Sequence, residues 1–305
     1  MSDKTLTALI LGSDGEIGGA IAQALEKAGA STITTSKKLD PSNPNLRRLN
    51  LEHPERFQLS QPVDVAYLCA GMTDLAQCQA QPGLSWEVNV KSHIRLIREL
   101  YAQGTFIVYF SSHLIFDGSI AQVKADTRQR PHSRFAEQKV AIEEHLSKLD
   151  SGYSIIRLSN VIGPKTPFLC EWASSLRQGK NIQAVNDMCI APVDIEAVVR
   201  ASIEIGSKRR EGIFQLSGDK DVPFDRVAVE LAEQLGVSSS LVQSVSADDA
   251  DWDIVARPEN TTLDTSRARR ELDFKAQSWS EVLGRFVEAN RLRSEQPYSS
   301  IAGEE

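Results

Sequence analysis

No apolar run approaches the ~18 residues that a helix needs to cross a bilayer, and no basic block offsets the formal net charge of −7. The first absence excludes a helical membrane protein. The second argues against nucleic acid as a partner, because phosphate binding needs clustered cations. Cysteine is scarce: Cys69, Cys78, Cys170 and Cys189 are the four, and none forms a short-spaced pair of the kind that holds zinc. Free thiols in a reducing cytoplasm are therefore expected. No carboxylate cluster demands a metal, and none is expected. Internal repeats and low-complexity tracts are missing too, apart from a polar tail, "RSEQPYSSIAGEE", expected to fray. The start, "MSDKTLTALILG", lacks a signal-peptide pattern and runs into a strand.

What is present is ordinary for a globular chain: 305 residues, 41% hydrophobic and 25% charged. That length suffices for a two-lobed domain with a sizeable core. "TALILG", "STITTS", "VDVAYLCAG", "TFIVYFSS" and "SGYSIIRLSNVIG" read as buried strands. Between them, "EIGGAIAQALEKAG", "LSWEVNVKSHIRLIRELYAQG" and "SRFAEQKVAIEEHLSKL" read as helices. This alternation predicts an α/β fold, a Rossmann-like doubly wound parallel sheet. The later helical stretches "FLCEWASSLRQG", "DIEAVVRASIEIG", "FDRVAVELAEQLG" and "SWSEVLGRFVEANRLR" predict a smaller, mostly helical lobe over the carboxyl ends of the strands. The expected division is 1–160, with 191–216 returning to it, for a dinucleotide-binding domain. Residues 161–190 and 217–305 would form a substrate lobe.

Gly12-Ser13-Asp14-Gly15-Glu16-Ile17-Gly18 lies between the first strand and the first helix. Glycines spaced by three let backbone approach a pyrophosphate, which then rests on the helix N-terminus. The spacing departs from G-x-G-x-x-G, and an ordinary tight turn is the competing explanation. At the end of the second strand stand Ser36, Lys37 and Lys38, with no carboxylate before Asp40. Cations there suit the 2′-phosphate of NADP, with NAD as the alternative. Paired loop lysines that merely face solvent are the plainer reading.

These motifs occur in order with "CAG" at Cys69–Gly71, Asn89, "SSHLIFDG", an F-x-x-x-K pair and "RLSNVIGP". So arranged, the chain resembles an extended short-chain dehydrogenase/reductase. "SSHLIFDG" and "ARPENTTLDTSRARRELDF…SWSEVL" narrow the likeness to dTDP-4-dehydrorhamnose reductases and their sugar-nucleotide-binding relatives. The resemblance implies that Gly12, Gly15 and Gly18 hold the pyrophosphate, with Asn50 and Leu51 beside the adenine. It places Cys69, Ala70 and Gly71 along the ribose. It assigns Ser112 to the substrate carbonyl and Lys139 to the nicotinamide ribose. His113, Asn160, Asp187 and Arg257 fall toward the substrate.

The catalytic tyrosine of that family falls on Phe135, which has no proton to give. None of the five tyrosines adjoins the motif in sequence. Water ordered by Lys139, or the flanking His113 or His132, would have to protonate the alkoxide. Each residue has a plainer role open to it. Lys139 could face solvent, Ser112 could bond a loop amide, and Asn89 could brace the strands. Both histidines could be solvated, and Cys189 could be a small buried hydrophobe. "NDMCIAPVD" also replaces family hydrogen-bonding positions with Met188, Ile190 and Val193. Two functions stay open: an NADP-dependent reductase of a sugar nucleotide or related carbonyl, and a non-catalytic nucleotide-binding subunit that partners another enzyme. A homodimer is compatible with either.

Overall fold

The computed structural model describes residues 5–40, 42–59, 61–250 and 255–295. The polar tail from 296 onward lies outside them. Six strands come first: β1 (Thr7–Leu11), β2 (Ser31–Ser36), β3 (Leu46–Arg48), β4 (Val65–Leu68), β5 (Phe106–Ser112) and β6 (Tyr153–Leu158). The later ones are short: β7 (Asn160–Ile162), β8 (Ile182–Val185), β9 (Cys189–Ile190), β10 (Pro192–Asp194), β11 (Gly212–Leu216), β12 (Val222–Pro223) and β13 (Val242–Val245). Among the helices are α1 (Glu16–Lys27), α2 (Leu75–Ala80), α3 (Pro82–Trp86), α4 (Ser92–Ala102) and α5 (Arg134–Leu146). The rest are α6 (Pro167–Arg177), α7 (Ile195–Ser207), α8 (Phe224–Gln234), α9 (Ser266–Leu272) and α10 (Trp279–Glu295).

Seven strands form one sheet in the order β11-β6-β5-β4-β1-β2-β3, every pair parallel. Alternate residues of each strand face opposite sides. Ala8 and Ile10 of β1 join Ile21 and Leu25 of α1 and Val198 and Ile205 of α7. Leu9 and Leu11 join Leu96 and Leu100 of α4 and Ile142 and Leu146 of α5 on the other face. Strand order reverses between β1 and β4, and in open α/β sheets a crevice forms at the carboxyl ends of such a pair. β11 returns to the sheet beside β6. A third core packs Leu169, Leu176, Ala228, Leu231, Val282 and Phe286, drawn from α6, α8 and α10.

Two expected elements are interrupted. The helix anticipated across 84–104 begins at Pro82 and contains a π-helical turn over Glu87–Lys91. That turn aims Asn89 inward, where its amide brackets Met72, accepting from the Met72 N–H and donating to its carbonyl, both at 2.8 Å. π-turns inside α-helices often mark functional sites. "SGYSIIRLSNVIG" does not form one strand. The chain leaves the sheet at Ser159, whose hydroxyl donates to the Ala191 carbonyl at 2.6 Å, and β7 pairs with β10 instead.

Candidate active site

The glycine turn follows β1. Gly12 takes φ +83°, and a methyl group on it would lie 2.7 Å from the Ala70 backbone. On Gly18 a Cβ would stand 2.2 Å from the Gly12 carbonyl oxygen. The turn therefore closes only with bare backbone. α1 starts from Gly15 without a side-chain cap, so the positive end of its dipole is left for an anion. Thr35 supports the turn: its hydroxyl accepts from the Gly12 N–H at 3.0 Å, and its carbonyl accepts from the Ser13 N–H at 2.9 Å. The Glu16 carboxylate is engaged by the Lys165 N–H at 2.6 Å.

A cleft of about 690 Å³ opens over this turn. It brings Gly12, Asp14, Gly15, Glu16, Ile17 and Gly18 together with Ser36, Lys37, Asn50 and Leu51, and with Cys69, Ala70 and Gly71. Ser13 turns aside, its hydroxyl donating to the Thr35 carbonyl. The Ser36 hydroxyl donates to the Asp14 carboxylate at 3.2 Å. Lys37 bonds the Glu52 carboxylate at 2.7 Å, which the Lys37 ammonium holds below the usual carboxylate range. Lys37 is exposed, as the plainer reading expects, and carries this surface ion pair. Residue 52 stayed invisible as its partner because β3 and a turn separate them in sequence. Asn50 faces its own turn, its side-chain oxygen accepting from the Glu52 N–H at 3.1 Å.

Ile17, Cys69, Ala70, Gly71, Met72, Thr73 and Val161 also wall a second cavity of about 210 Å³. This smaller chamber contains Ser111, Ser112, Phe135, Lys139, Asn89, His93 and Tyr109. Lys139 does not face solvent. Its ammonium donates to the Phe110 carbonyl at 2.8 Å and lies 5.3 Å from the centre of the Phe135 ring. Burial pulls its pKa down to about 8. Phe135 is 8% exposed. Ser112 accepts the Leu114 N–H at 3.2 Å, the loop-amide role, and this leaves its own proton free to donate. Asn89 does not brace strands as expected; it ties the Met72 loop to α5, donating also to Gln138 at 2.7 Å.

His113 is not the solvated loop histidine anticipated. Its Nδ1 lies 3.3 Å from the Leu158 carbonyl, and burial pushes its pKa down to about 4. Burial therefore favours its neutral form at pH 7. His132 is exposed and does not line the chamber. The fold also brings in a tyrosine that is distant in sequence. The Lys139 ammonium sits 4.9 Å from the centre of the Tyr109 ring. Burial, and then Glu143, hold that phenol well above its ordinary pKa, so it is a poor acid. Ser111 escaped notice beside Ser112. It is 4% exposed, and its hydroxyl has no hydrogen-bond partner among the described residues. Two adjacent serines at a strand end were the available signal.

The residues expected toward the substrate are engaged internally. Asp187 accepts the Ala247 N–H at 2.9 Å. Arg257 pairs with Asp248, and Asn160 accepts the Ala191 N–H at 3.3 Å. Cys189 is half-buried, and burial raises its thiol. No group of three or more potential metal ligands occurs among the described residues. None of their helices is long and apolar enough to cross a membrane.

Comparison with known proteins adds four findings. The model of the family described as RmlD substrate binding domain matches residues 6–292. The probable low-salt glycan biosynthesis reductase Agl14 of Haloferax volcanii is 23% identical over 276 residues, 87% of this chain and 92% of that protein. Methionine adenosyltransferase 2 subunit beta of Mus musculus is 22% identical over 275 residues, 85% and 80% of the two chains. In fold, the chain is similar to dTDP-4-dehydrorhamnose reductase of Bacillus anthracis, a structure in complex with NADP. That likeness has a TM-score of 0.82 at 18% identity and covers 93% of this chain and 99% of that one.

Proposed function

The chain belongs to the RmlD substrate binding domain family, and on that premise we propose an NADP-dependent oxidoreductase acting on a sugar nucleotide or related carbonyl. The observation that carries this proposal is the placement of Lys139, half-buried beside Phe135 in a chamber that shares a wall with the glycine-lined cleft. The cleft fits a dinucleotide. The close approach at Gly12 and Gly18 and the uncapped start of α1 suit a pyrophosphate. Ser36 and Lys37 would meet a 2′-phosphate. When bound, the dinucleotide supplies a hydride.

The chain's own groups supply the rest. Ser112 keeps its O–H to donate to a carbonyl oxygen. Lys139 commits one N–H to Phe110 and retains two for a ribose hydroxyl or a water. Phe135 closes the chamber without donating. The proton for the new alkoxide then comes through water held by Lys139, since burial favours the neutral form of His113 at pH 7.

Lys139 is loaded with a proton below its pKa of about 8 and loses it above. Reduction should fall about tenfold between pH 7 and 9. The check is kcat against pH at saturating NADPH, and a flat profile through that range removes Lys139 from the proton path.

A second expected result concerns cofactor choice. Lys37→Ala should weaken NADPH about five- to tenfold and leave NADH nearly unchanged, because only the former carries the 2′-phosphate. Glu52→Gln frees Lys37 from its partner and should act in the opposite direction. Cofactor fluorescence titrations read both, and equal effects on the two dinucleotides would place the 2′-position elsewhere.

The missing hydroxyl at Phe135, together with the likeness to methionine adenosyltransferase 2 subunit beta, supports one rival: a dinucleotide-binding partner subunit without turnover. NADPH binding with no consumption across a panel of 4-keto sugar nucleotides and simple ketones would favour it.

A further inference from the structure

Three segments meet at the corner of the cleft where a dinucleotide's adenosine ribose would lie: the end of β2 with Ser36 and Lys37, the turn at Asn50 to Glu52, and Asp14 of the glycine turn. Hydrogen bonds on both sides fix the backbone around Asp14. The Ser13 N–H and hydroxyl donate to the Thr35 carbonyl at 2.9 and 3.2 Å, and the Gly15 N–H donates to the Gly12 carbonyl at 3.2 Å. So held, the Asp14 carboxylate reaches across to β2 and accepts the Ser36 hydroxyl at 3.2 Å.

That bond limits what Ser36 can offer a ligand. A serine hydroxyl has one proton to donate, and buried Ser36 gives it to Asp14. Its oxygen meanwhile accepts the Lys38 N–H at 3.1 Å. A ribose 2′-phosphate would compete for the same proton and meet the carboxylate as a like charge. A free 2′-hydroxyl is the opposite case. It is a donor, and a carboxylate at the end of the second strand is the acceptor that suits it.

The neighbouring charges do not offset Asp14. The Lys37 ammonium already meets Glu52 at 2.7 Å, and Lys38 does not line the cleft. Ser36 and Lys37 can therefore serve a 2′-phosphate only by exchanging Asp14 and Glu52 for it. Glu16, the remaining carboxylate of the lining, is turned to the Lys165 N–H.

We infer that Asp14 is a specificity-determining residue: its carboxylate accepts the ribose 2′-hydroxyl of NADH and restrains the preference for NADPH, so that the cleft takes both dinucleotides. This rests on the dinucleotide reading of the cleft and on nothing in the chamber of Lys139.

The test titrates the full chain and Asp14→Asn with NADPH and with NADH by calorimetry, at low and high salt. Asparagine keeps the size of the side chain and removes its charge. It should tighten NADPH about fivefold and weaken NADH about twofold, a shift of about tenfold in their ratio. High salt should shrink the gain for NADPH, because screening already softens the repulsion in the wild type. Adenosine 2′,5′-bisphosphate and 5′-AMP, which lack a nicotinamide, should repeat the shift. Glu52→Gln favours NADPH through Lys37 but leaves NADH unchanged, so the loss of NADH affinity is the signature of Asp14. Asp14→Ser, whose hydroxyl also suits a turn, should move the ratio the same way and serves if asparagine disturbs the fold. An unchanged ratio in a folded variant that binds both dinucleotides overturns the inference and leaves the cleft reading standing. Binding of neither dinucleotide to the wild type overturns the cleft reading, and the inference with it.

Discussion

Phe135→Tyr is expected to raise kcat for carbonyl reduction by about 10²–10⁴-fold, the contribution of one positioned acid. The ring already lines the chamber and is 8% exposed, so a para oxygen enters space that a cofactor-bound carbonyl would share. The ammonium of Lys139, 5.3 Å from the ring centre, would favour the phenolate and lower the phenol's pKa toward the working range. Lys139 keeps its anchor on the Phe110 carbonyl. Steady-state consumption of NADPH reads the gain, and a thermal melt confirms that the fold is intact. A folded, NADPH-binding variant with no gain favours the partner-subunit reading. A melting temperature many degrees lower would show instead that the para carbon faces packed core.

Glu143→Ala should destabilise the chain by about 3–5 kcal/mol, because it leaves a buried guanidinium without its counter-charge. Glu143 on α5 meets Arg157 on β6 at 2.7 Å, with 4% and 3% of the two side chains exposed. Arg157 also donates to the Ala125 carbonyl at 2.7 Å, and Gln129 donates to Glu143 at 2.6 Å. The network ties the helix that carries Phe135 and Lys139 to the sheet and to the loop before it. Urea unfolding measures the loss. A change below ~1 kcal/mol, the value of an exposed pair, would mean that water reaches the guanidinium. Because α5 also positions Lys139, weaker NADPH binding is expected to accompany the loss of stability.

Periodicity made the sheet and its flanking helices legible. Ala8 and Ile10 against Leu9 and Leu11 alternate as a strand buried on both faces must, and Ile21, Ala22 and Leu25 repeat as a helix requires. What stayed hidden depends on partners far along the chain. The π-turn at Glu87–Lys91 leaves no composition signal, and the partner of its Asn89, the Met72 backbone, lies seventeen positions away. β6 ends at Leu158 because Ser159 bonds Ala191, thirty-two positions away in the chain. The pairing of Lys37 with Glu52 was hidden as well, because the two come together only across β3. His113 looked solvated too, and only its burial against the end of β6 shows why its pKa is lowered, against the opposing pull of the Leu158 carbonyl. The glycine turn, Ser112, Phe135 and Lys139 were legible as residues. Their gathering around two adjoining cavities was not, because it requires the ends of β1, β4 and β5 to meet the start of α5.

Isothermal titration of the wild-type chain with NADPH and with NADH, each repeated on Lys139→Ala, bears most directly on the proposed site. One NADPH per chain is predicted, bound more tightly than NADH and weakened when the Lys139 ammonium is removed from the ribose it would hold. No heat with either dinucleotide, or binding indifferent to Lys139, would contradict the placement of a nicotinamide beside Phe135.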